Sequence, residues 1–237
     1  MGALVSLLDI VFPRHCVGCG VSVGDAAGHI CWDCLSQLAV IHPPFCRICG
    51  DPVDGMVEHA FVCGWCEKNS PAFDLARSAA RYRGVLKDLV HKLKYGAATY
   101  VEKDLAMLLC ACAQTHFPCD AIDAVTFVPL HPTRERDRTY NQSHLLARGL
   151  ARRLRKPLAD RCLIRTRATA TQTELTAHER TMNMKGAFAA RNPAWLEGRT
   201  LLLVDDVMTT GATVNECAKA LKDGGAARVF VVTVARG

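Results

Sequence analysis

Hydrophobic and polar residues from residue 71 onward form two kinds of stretch, short apolar runs of strand length and longer stretches with helical spacing. The runs that predict strands lie at 76–82, 125–128, 162–165, 201–204 and 229–235. The stretches that predict helices lie at 85–94, 100–112, 141–154, 176–185 (a short helix or a flexible excursion) and 214–222. Because strands alternate with helices, the pattern predicts an α/β fold with a parallel sheet flanked by helices.

The first seventy residues have a different pattern, which is dominated by cysteine. Eight of the thirteen cysteines form four C-x-x-C pairs, which are Cys16/Cys19, Cys31/Cys34, Cys46/Cys49 and Cys63/Cys66. This spacing lets both sulfurs of a pair face one tetrahedral ion, and two pairs complete a closed structural zinc site. We predict two sequential sites, one from the first two pairs and one from the last two. A cross-braced arrangement, in which the first pair joins the third, is the alternative.

A cysteine-rich segment this short cannot bury a large core. Two Zn²⁺ ions are therefore predicted to fold it, and closed sites of this kind have no open position for catalysis. Segment 67–74 contains Asn69, Ser70 and Pro71 and is typical of a linker. We expect a double zinc-ribbon module at 1–70 and a second domain at 71–237.

The stretch 201–213 combines the features of an anion site and of a diol site. An apolar run is followed by Asp205 and Asp206, and then by the turn Thr209, Thr210, Gly211, Ala212 and Thr213. A glycine turn that opens a helix presents free N–H groups and the positive end of the helix dipole to a phosphate. Carboxylates at the carboxyl end of a strand are suited to bind sugar hydroxyls or a magnesium-bound diol. Together they predict a site for a ribose 5-phosphate.

The same stretch resembles, position for position, the signature of type I phosphoribosyltransferases that binds 5-phosphoribosyl 1-diphosphate (PRPP). Paired cysteine knuckles ahead of such a domain resemble the ComF family, which is associated with competence and DNA uptake in bacteria. The resemblance implies a type I phosphoribosyltransferase-like parallel sheet, preceded by a small cysteine-rich double zinc ribbon. It also implies that the chain transfers or binds phosphoribosyl groups with release of pyrophosphate.

Two further segments carry this resemblance. The residues Val128, Pro129, Arg134, Arg138, Asn141 and Gln142 resemble the family's V-P … R-G-F-N-Q segment. Thr139 and Tyr140 stand where the family has glycine and phenylalanine. The second set resembles a stretch that forms a mobile flap over the active site of related phosphoribosyltransferases. It consists of Thr171, Gln172, Leu175, Arg180, Asn183, Gly186 and Phe188.

Each part of PRPP is thereby assigned its predicted ligands. Residues 209–213 are expected to hold the 5-phosphate, whereas Asp205 and Asp206 hold the ribose diol and are catalytic candidates. The residues expected at the pyrophosphate, together with Mg²⁺, are Pro129, Leu130, His131, Arg134 and Arg138. Arg180 is a catalytic candidate because a flap that bears it would neutralise the leaving group and exclude water. No residue identifies the incoming nucleophile.

Composition limits the other classes of function. Half of the 237 residues are hydrophobic and 22% are charged, as in a globular protein. No apolar stretch approaches the ~20 residues of a membrane span. The first residues lack the features of a signal peptide, so we expect a cytoplasmic protein. No P-loop, zincin or serine-hydrolase motif occurs in the sequence.

Charge adds a second interpretation. The formal net charge of +6 falls to about +2 if eight thiolates bind two Zn²⁺ ions. Positive charge is concentrated at Arg148, Arg152, Arg153, Arg155 and Lys156. The alternative to an enzyme is therefore a zinc-ribbon adaptor that binds nucleic acid or a partner and uses a PRPP fold without catalysis. Its expected partners are single-stranded DNA or proteins of the competence machinery.

Overall fold

The structure, a computed structural model, describes residues 14–24, 28–55, 61–167 and 177–237, without the side chains of Asp137, Ala177, His178, Arg180 and Thr181. The strands are β1 (Leu75–Arg81), β2 (Ala124–Phe127), β3 (Leu163–Arg165), β4 (Phe188–Ala190), β5 (Thr200–Met208) and β6 (Arg228–Arg236). The helices are α1 (Trp32–Ser36), α2 (Gly64–Asn69), α3 (Gly84–Tyr95), α4 (Glu102–His116), α5 (Pro132–Arg138), α6 (Gln142–Leu154), α7 (Ala177–Met184), α8 (Pro193–Leu196) and α9 (Ala212–Asp223). Within these ranges no helix is long and apolar enough to cross a membrane.

A four-stranded parallel sheet forms the centre of the molecule, in the order β1-β6-β5-β2. Helices α4 and α6 pack on one face, against Leu202 and Val204 of β5. Helix α9 packs on the other face, against Leu201 and Leu203. Since successive side chains of a strand point to opposite faces, an uninterrupted apolar run is what a strand buried on both faces requires. The predicted parallel α/β fold is confirmed.

Strand β3 lies outside this sheet. It pairs with β4 in an antiparallel sheet of two strands, in which Leu163 lies opposite Ala190 and Arg165 lies opposite Phe188. The apolar run at 162–165 indicates a strand but does not indicate which strand it pairs with. The sequence pattern therefore did not predict this second sheet. The two strands flank the segment that resembles a flap.

Strand β5 is longer than the apolar run that predicted it. It continues to Met208 because β6 runs beside it, pairing Asp205 with Thr233. The acidic pair therefore lies inside the strand, near its carboxyl end, and does not terminate it as the pattern indicated.

Helix α5 was not predicted, although Pro132 at its first turn has the fixed φ that suits the start of a helix.

The cysteine-rich module covers the outer edge of β1. The backbone N–H of Ala76 donates to the carbonyl of Ile48 at 2.8 Å. The guanidinium of Arg77, a residue that is only 9% exposed, donates to the carbonyls of Ile48, Ala76 and Arg47 at 3.4, 2.6 and 3.1 Å. These bonds satisfy the polar groups of an edge strand that would otherwise face solvent.

The segment predicted to be a linker is anchored at its far end. Helix α2 occupies its beginning, and the carboxylate of Asp74 accepts the backbone N–H of Val229 at 2.8 Å. Asp74 also forms an ion pair with Lys222 at 3.0 Å. The chain thus passes from module to sheet through a short, bonded connection. Its division into 1–70 and 71–237 remains our proposal.

Candidate functional site

The acidic pair of β5 is buried and already has partners. Asp205 is 9% exposed and Asp206 is 4% exposed. The Ser143 hydroxyl, from the first turn of α6, donates to Asp205 Oδ1 at 2.8 Å, and the backbone N–H of Asp206 donates to the same oxygen at 2.9 Å. Lys94, near the end of α3, places its Nζ 3.0 Å from Asp206 Oδ2. Helices α3 and α6, both distant from β5 in the sequence, therefore hold the two carboxyl groups in place.

Burial changes the protonation of this cluster. Burial, and then the charge of Asp206, raise the pKa of Asp205 to about 7. Burial lowers the pKa of Lys94, but the attraction of Asp206 outweighs it, so the Lys94 pKa is raised overall. Near neutral pH the cluster thus contains an ion pair, Lys94 with Asp206, beside a carboxyl group that titrates. Such a group can both donate and accept hydrogen bonds, as a sugar hydroxyl requires.

The predicted phosphate turn lies directly after β5. A small, partly open pocket is lined by Asp205 and residues 207–214. Gly211 has φ 79° and caps α9, a helix of twelve residues whose first N–H groups point into this turn. This left-handed backbone conformation favours glycine, whereas a Cβ at this position would meet only the flexible end of the Met208 side chain, 2.7 Å away. The structure therefore places Asp205 and the turn around one pocket, while Asp206 is turned towards α3.

Residues expected at the pyrophosphate occupy the loop after β2 and helix α5. The imidazole of His131 caps α5 and accepts the backbone N–H of Thr133 at 3.4 Å. Arg138 donates to Gln142 Oε1 and to the Tyr95 hydroxyl, both at 3.1 Å, and its guanidinium lies 4.8 Å from the centre of the Tyr95 ring. Arg138 is thus held at the end of α3 and would have to exchange partners to reach a ligand.

A second pocket adjoins this loop. Pro129, Leu130 and Arg165 are among the residues that line it. Burial, and then the charge of Arg134, lower the pKa of Arg165. Two of the predicted pyrophosphate residues therefore lie beside an arginine that the sequence did not single out.

The sequence pattern missed four residues of this site: Lys94, Tyr95, Ser143 and Arg165. Lys94 and Tyr95 indicated only the end of a helix, and Ser143 follows the recognised Asn141 by two positions. The hydrogen bonds of Asn141 account for its presence in the V-P … N-Q segment. Its side chain accepts the N–H of Ser143 at 2.9 Å as the cap of α6 and donates to the Val128 carbonyl at 3.1 Å. It therefore joins the pyrophosphate loop to the helix that holds Asp205.

The segment that resembles a flap is described only in part. Thr171, Gln172 and Leu175 lie outside the described residues, as does the side chain of Arg180. Helix α7, which contains position 180, reaches the phosphate turn, where the Thr213 hydroxyl donates to Met184 Sδ at 3.3 Å. The roles expected for Arg180 and for the flap remain predictions.

The paired cysteines form two clusters. In each cluster the four sulfurs lie within 4.8 Å of one another; the members are Cys16, Cys19, Cys31 and Cys34 in the first and Cys46, Cys49, Cys63 and Cys66 in the second. Four cysteine sulfurs this close together fit a closed structural zinc site. The sequential pairing is confirmed, and the cross-braced alternative is wrong.

The basic residues lie at the end of α6. Arg148, Arg152, Arg153 and Arg155 are exposed. Arg152 lies 3.7 Å from the buried carboxylate of Glu102, and Arg153 donates to the Lys103 carbonyl at 3.1 Å. The segment is therefore a solvent-facing basic surface that α4 partly holds in place.

Comparison with known proteins supports both parts of the chain. The double zinc ribbon domain matches residues 7–67, and the phosphoribosyl transferase domain matches residues 141–237. The chain is 34% identical over 221 residues to the DNA utilization protein YhgH of Escherichia coli, covering 87% of this chain and 96% of that protein. It is 32% identical over 230 residues to competence protein F of Haemophilus influenzae, covering 95% and 98%. It is 29% identical over 214 residues to competence protein ComFC of Bacillus subtilis, covering 87% and 84%. The chain belongs to the ComF family, in which a double zinc ribbon precedes a phosphoribosyltransferase-type domain.

Proposed function

We propose that the chain binds PRPP in the pocket between β5 and α9 and transfers its phosphoribosyl group with release of pyrophosphate. One observation carries the proposal: a buried carboxyl group, Asp205, lines the same pocket as a glycine turn that opens a twelve-residue helix. The first suits a sugar hydroxyl and the second suits a phosphate, and a ribose 5-phosphate carries both groups.

In this proposal residues 209–213 hold the 5-phosphate, and Asp205 and Asp206 hold the ribose hydroxyls. Pro129, Leu130, His131, Arg134 and Arg138 receive the pyrophosphate. Mg²⁺ bound with the pyrophosphate would supply further neutralisation of the leaving group.

Displacement at the anomeric carbon develops positive charge on the sugar as pyrophosphate leaves. The ionised form of Asp205 stabilises that positive charge, since this carboxyl group is buried where electrostatic interactions are strong, whereas Lys94 already neutralises Asp206. The flap that bears Arg180 closes over the pocket and excludes water.

The second candidate function is binding of single-stranded DNA or of proteins of the competence machinery, in the cytoplasm, without catalysis. The exposed arginines at the end of α6 favour it. So do the names of two relatives, a DNA utilization protein and a competence protein. In this interpretation the zinc ribbons and the basic surface make the contacts, and the pocket keeps only its affinity for PRPP.

Calorimetric titration with PRPP, with and without Mg²⁺, tests the first proposal. The wild-type protein should bind one PRPP, more tightly with Mg²⁺. The double variant Asp205→Asn/Asp206→Asn should lose this binding while it keeps its zinc and its fold. Asp223→Asn, on the exposed end of α9, is the matched control and should bind as the wild type does. Absence of binding to the wild type, or equal binding to the double variant, would refute the proposal.

A further inference from the structure

Lys94 is the one strongly charged partner that the described residues bring to Asp206. It belongs to α3, 112 positions earlier in the chain, yet its Nζ lies 3.0 Å from Asp206 Oδ2. The exposed fractions of the two side chains are 18% and 6%. The oxygen itself has essentially no solvent-accessible surface. A lysine this well enclosed costs free energy to bury, so its placement against one carboxylate oxygen calls for an explanation.

A carboxylate near the end of a strand is a ligand that a hard divalent cation could bind. Mg²⁺ and Mn²⁺ prefer carboxylate oxygens, and Mg²⁺ keeps several waters in a strict octahedral arrangement. The ammonium group of Lys94, 3.0 Å from Asp206 Oδ2, offsets one of the two negative charges and repels a divalent cation at that oxygen. Ser143 and the backbone N–H of Asp206 already occupy Asp205 Oδ1. One oxygen of each carboxyl group is therefore already occupied, by hydrogen-bond donors at Asp205 and by a cation at Asp206.

We propose that Lys94 is a specificity-determining residue that excludes divalent cations from Asp206. The acidic pair is thereby kept for a sugar diol, and metal reaches the site only in complex with the diphosphate of its ligand. The functional meaning of this exclusion rests on the proposed PRPP site. The exclusion itself is a property of three residues, Lys94, Asp205 and Asp206, and is tested without PRPP.

Mn²⁺ binding to the zinc-loaded, full-length protein, followed by electron paramagnetic resonance of free Mn²⁺, tests the exclusion. Lys94→Ala and Lys94→Gln should each gain one Mn²⁺ site, at least tenfold tighter than any binding by the wild type. Asp206→Asn added to either variant should abolish the new site. Lys94→Arg keeps the positive charge and should behave as the wild type does, as should Lys87→Ala on the exposed face of α3.

Two results would overturn the proposal. One is that a folded Lys94→Ala or Lys94→Gln protein gains no Mn²⁺ site. The other needs no change at Lys94: if Asp206→Asn alone removes Mn²⁺ from the otherwise wild-type protein, the cation was never excluded. Circular dichroism and zinc content establish that each variant is folded.

Ribose 5-phosphate separates this inference from the proposed function. It carries the phosphate and the diol but no diphosphate, so the wild-type protein should bind it equally well with and without Mg²⁺. If neither ribose 5-phosphate nor PRPP binds, the proposed function fails, whereas a Mn²⁺ site gained on replacing Lys94 still supports the exclusion. If both ligands bind but ribose 5-phosphate requires Mg²⁺, the exclusion is wrong and the PRPP site stands.

Discussion

Replacing Asp205 with Asn should make the protein more stable, and increasingly so as the pH rises. The pKa of Asp205 in the folded protein is about 7, against an ordinary value of 3.8. Between these values the unfolded chain gives up its proton while the folded chain keeps it, so the contribution of Asp205 to stability is full below pH 3.8 and is lost as the pH approaches 7. At about 1.4 kcal/mol per pH unit, the loss is at most about 4 kcal/mol over the whole range.

Asparagine has no such titration and has nearly the same shape. Its side-chain oxygen still accepts the hydrogen bonds that Ser143 and the backbone N–H of Asp206 donate to Asp205 Oδ1. The difference in free energy of unfolding, variant minus wild type, should therefore rise by about 2 kcal/mol between pH 5.5 and pH 8.5 and then level off. Urea unfolding followed by circular dichroism at each pH measures it, and the comparison cancels the titration of groups that do not interact with Asp205.

A difference that stays constant with pH would refute this reasoning, because Asp205 would then be ionised throughout. A lowered pKa would give the same constant difference over this range, because Asp205 would then be ionised in both the folded and the unfolded protein. Ser143→Ala provides the internal check. It removes a hydrogen bond that lowers the Asp205 pKa, so the pH at which the loss of stability levels off should be higher in this variant than in the wild type.

The remaining predictions concern the zinc ribbons and the basic surface. The purified protein should contain two zinc ions, and Cys16→Ser and Cys46→Ser should each remove about one and unfold the surrounding ribbon, as measured by metal analysis and limited proteolysis; a fully folded, metal-free module would contradict this. If the chain binds single-stranded DNA, replacing Arg152, Arg153 and Arg155 with Ala should weaken binding and reduce the slope of log affinity against log salt by roughly one per lost contact, without changing PRPP affinity. Unchanged DNA affinity at every salt concentration would show that this surface is only solvated, and competition between DNA and PRPP would show that they share a site.

The sequence predicts the parts of this protein that depend on local pattern. The apolar runs of β5 and β6 indicate strands buried on both faces, and the C-x-x-C spacing indicates the four-sulfur clusters. The glycine in the turn at Gly211 indicates the left-handed residue that caps α9. In each case the residues that determine the structure are neighbours in the chain.

The sequence does not predict the contacts that depend on how distant elements meet. Lys94 reaches Asp206 across 112 positions, and Ser143 reaches Asp205 across 62. A lysine near a helix end and a serine after a cap are common in solvated positions, so neither is distinctive by itself. The same holds for the length of β5, because its extension through the acidic pair depends on β6 lying beside it.

Hydrogen exchange of the backbone amides, measured by mass spectrometry with and without Mg²⁺ and PRPP, tests most directly where the ligand binds. The account predicts slower exchange on PRPP binding at residues 209–214, whose N–H groups would hold the 5-phosphate, and at residues 129–134 in the pyrophosphate loop. The zinc ribbons should be unaffected. Protection confined to the ribbons or to the end of α6, with unchanged exchange at residues 209–214, would contradict the central claim that this chain binds PRPP between β5 and α9.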